Sequence, residues 1–403
     1  AVRYYWFLLL IAVACVSCVT LAEEPCGSPA VAQLKLEKRV DLPGKADRVI
    51  GSLFSPNATY SLDGSHRALI TTPDPKSTRR EVDTPWAVYP SRNGRYVVID
   101  VLENPDNPDG AVISTLYELP AMRKLWTRKG PSAVALISDD GRTVVFHNVD
   151  MLSYPTLEFY DEKGRCVRSY VPHENRLGLV ALAPSGAFVL VGAGTSPAAD
   201  ARITMYDRSG REMTVFDPRM GPIGVLEISP DETRVVAHFR LISHEPKAQM
   251  YLLDAQLNEI TAENPGTHAL SRVVFSPDST CFAVALAETL QLRDGATGKT
   301  LWEQPRTKLV GAAKWNRIAL SKGGEMIAIS ASTRPARTSS ELAESSLTIL
   351  DRSGKVIGRL DRGTRAPFIE QMEFSADGRT LAAHIKGDGI EYYSVPMAGG
   401  AGQ

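Results

Sequence analysis

One short pattern recurs along this chain and constrains its fold more than any other feature. A hydrophobic residue, a small residue and a tight-turn pair are followed by a β-branched or aromatic run, as in "YPSRNGRYVVI" at Tyr89, "LISDDGRTVVF" at Leu136, "ISPDETRVVA" at Ile228, "FSPDSTCFAV" at Phe275 and "FSADGRTLAA" at Phe374. The small residue marks the copies: Ser55, Ser91, Ser138, Ala183, Ser229, Ser276, Ser321 and Ser375, spaced by 36, 47, 45, 46, 47, 45 and 54 residues. A fixed period of this length is the signature of a repeat architecture. Ser, Asp, Asn and Gly favour tight reversals because they bond their own backbone or tolerate positive φ, so each copy reads as a hairpin of strands a and b.

A second signature follows the first, an alternating strand closed by Asp and Gly: "LEFYDEKGR" from Leu157, "ITMYDRSGR" from Ile203, "LQLRDGATGK" from Leu290 and "LTILDRSGK" from Leu347. After it comes one more short strand, so each unit holds four antiparallel strands, a to d. Four short strands cannot bury both faces alone; stacked radially, each sheet covers its neighbours. The chain is therefore expected to be all-β, an eight-bladed β-propeller of four-stranded antiparallel blades, with seven blades as the alternative because the first spacing is short. A sandwich or solenoid is the rival architecture. The last unit lacks strand d, and "LKLEKRVDLPG", Leu34 to Gly44, has the form to supply it by pairing near Tyr392. The 54-residue spacing comes from "STRPARTSSELAESS", Ser332 to Ser346, expected to be a surface loop and the first point of proteolytic attack.

The "SPDG" hairpin followed by "D-x-x-G-K" resembles WD40-like and YVTN-type propeller repeats, across nearly all of the chain after residue 30. Neither the Trp-Asp dipeptide nor the opening Gly-His of ordinary WD40 units is present, which points to the broader quinoprotein-like set, often eight-bladed. "LRDGATGKTLWE" is similar to the tryptophan-docking motif of quinoprotein dehydrogenases, with Asp294, Thr297, Gly298, Lys299 and Trp302 in place and Trp126 at the corresponding position of another unit. The resemblance implies a structural role for these tryptophans. It implies no quinone, because the adjacent cysteine pair of that family is missing.

Tyr4 to Ala22 is a run of nineteen residues without a charge, preceded by Arg3. It reads as an export signal cleaved before Glu23, as a lipid-modified anchor at Cys15, or as a retained membrane helix. Each reading makes residues 23–397 a single extracytoplasmic propeller domain, periplasmic or secreted, with 398–403 as a tail. Beyond the leader, Cys26, Cys166 and Cys281 lie at no metal-ligand spacing, and Cys166 and Cys281 are expected to be buried.

The chain's 45 Lys and Arg nearly balance 46 Asp and Glu, and no like-charge run stands out, which argues against nucleic-acid binding. "GATGKT" at Gly295 is no phosphate loop, since Arg293 stands where the first glycine is needed. The seven histidines form no H-x-H, H-E-x-x-H or C-x-x-C-H, and there is no G-x-S-x-G. Glu103, Asp106 and Asp109 could hold Ca²⁺, but a solvated loop accounts for them equally. No catalytic, cofactor or metal site is therefore expected. The expected function is a non-enzymatic interaction or assembly scaffold, with a lactonase-like hydrolase or an oxidoreductase as the alternative. The d-to-a connectors carry eleven Lys or Arg against three acids. With Trp86 and Trp315 beside them, this makes Arg176, Arg219, Arg317, Arg365, Trp86 and Trp315 the candidate residues for a protein partner, an anionic peptide or an anionic polysaccharide. Membrane contact is expected only through the N-terminal segment.

Overall fold

The computed structural model describes residues 31–396, except 43–45, 63–67, 74–79, 83–84, 105–106, 108–109, 148–155, 171–176, 194–200, 240–248, 265–269, 312, 334–343 and 365–366. The chain divides into residues 1–31 and the unit Ala32–Gln403, and all of the strands lie in the second. The loop around 334–343 falls outside the described residues, as does Cys26.

Eight sheets form the propeller. In chain order the blades span residues 48–82, 85–130, 134–170, 177–220, 223–263, 270–305, 314–364 and 369–394. "HRALITT" and "TRREVDT" do supply strands c and d of the first blade, as Ala68–Thr71 and Arg80–Val82. Its hairpin is tighter than the others. Ser52 pairs with Ser55 across residues 53 and 54, so Ser55 opens strand b instead of leading the turn.

Burial is deepest on strands b and c and falls to the outermost strand d, which explains why each repeat carries two kinds of strand. Strand b is covered on both faces: Cys281–Leu286 and Met326–Ser332 are buried at every position, the first an unbroken apolar run and the second broken only by Ser330 and Ser332. Strand d is wet on one side, so Thr300–Pro305 alternates. The core is a series of clusters between neighbouring blades. Leu190, Ile203 and Met205 of blade four pack on Ile223, Val235, Phe239 and Tyr251 of blade five, each fully buried side chain worth about 1.5–3 kcal/mol. Cys281 is buried on strand b, but the expectation for Cys166 is corrected: it lies on the outermost strand Cys166–Tyr170, where four of five residues are exposed.

The repeat marks act as small hydrogen-bonded clips. Ser138 accepts the Thr143 amide at 3.0 Å and donates to Asp140 at 2.6 Å, and Asp140 accepts the Arg142 amide at 2.9 Å. Ser229 with Asp231 and Ser375 with Asp377 repeat the same geometry. These turns also bind the next blade. The Asn93 amide donates to Asp139 at 2.8 Å, the Ser185 hydroxyl to Glu232 at 2.7 Å and the Gly323 amide to Asp278 at 2.9 Å, while Glu373 of blade eight accepts the Leu53 amide of blade one at 2.6 Å.

Closure uses the N-terminal segment twice. Lys35–Asp41 pairs antiparallel with Gly389–Ser394, Lys38 standing opposite Tyr392, and so becomes strand d of blade eight. Just before it, Ala32–Gln33 adds a parallel fifth strand to blade seven, opposite Gly358 and Arg359. Nothing in the repeat pattern announces that fifth strand.

Candidate interaction surface

Strand a of one blade abuts strand a of the next, from blade two round to blade one, so these eight strands surround the axis. Most of them carry a bulge near their outer end, for example between Ile223 and Val225, Leu270 and Arg272, Trp315 and Arg317, and Ile369 and Gln371. A bulge adds an unpaired residue and re-aims side chains. Its freed amide needs a partner: that of Arg317 donates to the Ser330 hydroxyl at 3.1 Å.

The bulges place a charged series on the axial wall of blades five to eight: Glu227, Arg272, Arg317 and Glu370. Arg317 is held across the blade interface, donating to the Glu370 carbonyl at 2.6 Å and to its carboxylate at 3.0 Å. Arg272 is half-buried, and among the described residues no acceptor reaches its guanidinium. Burial and the neighbouring Arg317 cation push its pKa below the ordinary arginine value, while Glu227 pulls it up. Glu227 keeps solvent contact, yet the surrounding wall desolvates its carboxyl and raises its pKa, opposed by Arg92 and Arg272.

At the Arg272, Arg317 and Glu370 end of this series lies an open cavity of about 400 Å³, lined also by Lys314, Trp315 and Phe368 among others. The helix Arg306–Val310 lies in the connector from blade six to blade seven, which leads into Lys314 and Trp315. Leu309 is fully buried, and its carbonyl accepts from Arg359 at 2.7 Å; Arg306 ties the same connector to the Ala287 and Ala313 carbonyls at 2.8 and 2.6 Å. Trp315 donates its indole N–H to the Leu286 carbonyl at 2.8 Å, which fixes the ring at the cavity wall.

Of the residues singled out from sequence, Arg317 and Trp315 meet at this cavity. Arg219 stands apart, exposed at the end of Glu212–Met220 with φ of 53°; Asp217 accepts its backbone amide at 3.1 Å, and no acidic side chain pairs with its guanidinium among the described residues. Arg176, Arg365 and the side chain of Trp86 lie outside the described residues, as do Asp106 and Asp109. Several other connector cations are already neutralised. Lys129 pairs with Glu103 at 2.5 Å, Arg306 with Glu288 at 3.2 Å, and Arg362 with Glu391 at 3.3 Å. Arg128 is buried against Glu158 at 2.8 Å, its guanidinium 4.2 Å from the Phe146 ring centre. Arg272 and Phe368 were not legible as site residues, because only the folded ring brings blades six and eight against blade seven. Among the described residues no group of three His, Cys, Asp or Glu is arranged to hold a metal ion.

No family model matches the chain, and no curated protein sequence matches it. Solved structures do. The C-terminal WD40 domain of Sif2 superposes with a TM-score of 0.58 at 11% identity, over 91% of this chain and 99% of that one. The β-propeller domain of Cps50 (Swd1) from Myceliophteria thermophila is 14% identical over 77% of this chain and 96% of that one, with a TM-score of 0.47. The fold is that of a WD40-like propeller. Trp302 and Trp126 hold neighbouring units of this propeller together: the Trp302 indole N–H donates to the Arg352 carbonyl of blade seven at 2.7 Å, and the Trp126 ring stacks on Tyr160 of blade three.

Proposed function

We propose that this propeller is a non-enzymatic interaction scaffold, exported by its N-terminal segment, whose d-to-a face binds an acidic partner. The observation that carries the reading is the uneven fate of the connector cations. Arg128, Lys129, Arg306 and Arg362 are consumed in ion pairs, whereas Arg219, Lys308 and Lys314 are exposed and, among the described residues, their side chains are paired with no acid. Exposed cations of this kind steer an anionic partner and lose their pull over about 8 Å at physiological ionic strength. WD40-like architecture suits the role, because its rigid ring presents loops from several blades on one face.

The test is capture of partners from native envelope and culture fluid by the immobilised protein, compared with Arg219→Glu/Lys308→Glu. The double reversal removes the specific partner, and capture by the native protein falls steeply between 50 and roughly 300 mM salt. Salt-insensitive capture that survives both reversals overturns the reading of this face. Export is checked separately, by the N-terminal residue and mass of the mature protein: Glu23 at its start, or a lipid on Cys15.

A further inference from the structure

The cavity between blades six, seven and eight holds three cations, Arg272, Lys314 and Arg317, and a single carboxylate, Glu370. That carboxylate is committed to Arg317. The neighbouring guanidinium of Arg272 is pressed against a like charge in a partly desolvated wall, is offset through space by Glu227, and has no hydrogen-bond acceptor among the described residues. A buried or half-buried cation without a partner is costly, and the cost is recovered when an anion arrives. The arrangement thus sets one guanidinium already paired with a carboxylate, Arg317, beside one that is not, Arg272.

We propose that this cavity is a carboxylate-binding cradle, in which Arg272 grips a ligand carboxylate bidentately, Lys314 supplies long-range attraction, and the Trp315 and Phe368 rings flank the ligand's apolar stem. Four features support the assignment. A guanidinium presents two parallel donors that match the two oxygens of a carboxylate. Glu370 shows that a carboxylate oxygen seats on a guanidinium of this wall, through one contact of 3.0 Å to Arg317. The volume, about 400 Å³, holds a small polycarboxylate or one to two acidic side chains. Trp315 is pinned by its bond to Leu286, so the wall is preorganised. The same chemistry can come from a free polycarboxylate or from the glutamates of a partner, and the second source rests on the d-to-a face being the partner-binding face.

Citrate and hexaglutamate serve as probes, titrated against the full-length protein at constant ionic strength and read by tryptophan fluorescence and calorimetry. Binding of either probe, weakened at least tenfold in Arg272→Gln and tightened severalfold in Glu370→Gln, supports the cradle. The second variant frees Arg317 while its bond to the Glu370 carbonyl remains. Circular dichroism and melting of each variant separate lost binding from lost folding, and Lys314→Gln, exposed and outside the core, gives a milder loss in a protein certain to be comparable. Hexaglutamate bound in preference to citrate assigns the source as a peptide; the reverse assigns a free polycarboxylate. Failure of both probes to bind, or binding indifferent to Arg272→Gln, overturns the proposal. If in that case Arg219→Glu/Lys308→Glu still abolishes partner capture, the face is right and the cradle alone is wrong.

Discussion

Nine residues after five of the eight repeat marks, on strand b, stand Asp100, His147, His238, Ser330 and His384, all buried. Ser330 shows what the position does, since its hydroxyl satisfies an amide freed by a bulge. Asp100 fills the same place with a charge. It is fully buried, neither carboxylate oxygen has a hydrogen-bond partner among the described residues, and burial raises its pKa to about 6, moderated by the facing Ser114 hydroxyl and the Arg128 cation. A raised folded-state value means that the folded protein binds this proton more tightly than the unfolded chain does. The associated stability is present below the ordinary carboxyl value and lost as pH rises through about 6. Asp100→Asn removes that loss, so it should stabilise the protein at pH 7.5 by on the order of 3 kcal/mol, with the gain vanishing near pH 4. Urea midpoints across that range check it, and an asparagine variant no more stable than the native protein at pH 7.5 contradicts it. His147 has the opposite sign. Burial lowers its pKa to about 4, so the folded state excludes a proton that the unfolded chain accepts, and stability is lost as pH falls from the ordinary histidine range towards 4. His147→Gln should therefore flatten the acid limb of the stability profile below pH 6.5, and an unchanged acid limb would show that this ring is not the group that titrates.

At the scale of the strand and turn, one contact explains why blades stay in register. The ring of Trp302, on the outer strand of blade six, lies over Gly354 in the Asp-Gly turn of blade seven. Gly354 has φ of 81°, and a Cβ there would sit 2.9 Å from the indole. Trp302→Ala should cost about 2 kcal/mol, less than a fully buried ring because Trp302 is half-exposed. Gly354→Ala should cost at least as much, from backbone strain and the clash together. The double variant should cost clearly less than the sum, since removing the ring removes the clash; strict additivity in denaturant melts would show that the two do not meet. This contact was half legible. Trp302 stood out in its motif, and each glycine was recognisable as turn punctuation, but which blade the ring touches is not written in the local pattern. The same limit applies elsewhere. The blade count and the closing strand could be read because local strand periodicity and turn chemistry repeat at a fixed distance. The ion pairs Arg128–Glu158 and Arg317–Glu370 could not, because their members belong to different blades. Cys166 misled because an apolar strand reads alike on the inner and outer edge of a blade.

At the scale of the whole ring, stability depends on whether the circle is shut. An open propeller would leave Gly389–Ser394 as a bare edge with unpaired amides and carbonyls, a template for aggregation. Lys35–Asp41 covers that edge, and its side chains add to the pairing, with Arg39 bonded to Asp388 and Glu37 to Ser394. The preceding residues tie the segment to a second blade. Ala32–Gln33 lies along Gly358 and Arg359 of blade seven, and between the two strands Leu34 is buried among Ile349, Ile369, Tyr393 and Val395, in a cluster shared by blades seven and eight. The segment therefore acts as a clasp over the interface between blades seven and eight, and its loss should be felt around the ring instead of locally. Leu34→Ala should cost about 3 kcal/mol, as for other buried leucines. Removing residues 30–44 should do more: a lower and broader melt, or association through the bare edge. A synthetic peptide spanning 30–44, added in excess, should restore the melting temperature in a concentration-dependent way, because a ligand that binds only the folded ring stabilises it by mass action. Hydrogen exchange locates the effect: protection should return at Gly389–Ser394 and at the outer strand of blade seven together. A truncated protein that melts as the native one does, or a peptide that protects blade eight alone, would show that the clasp over two blades does not govern closure.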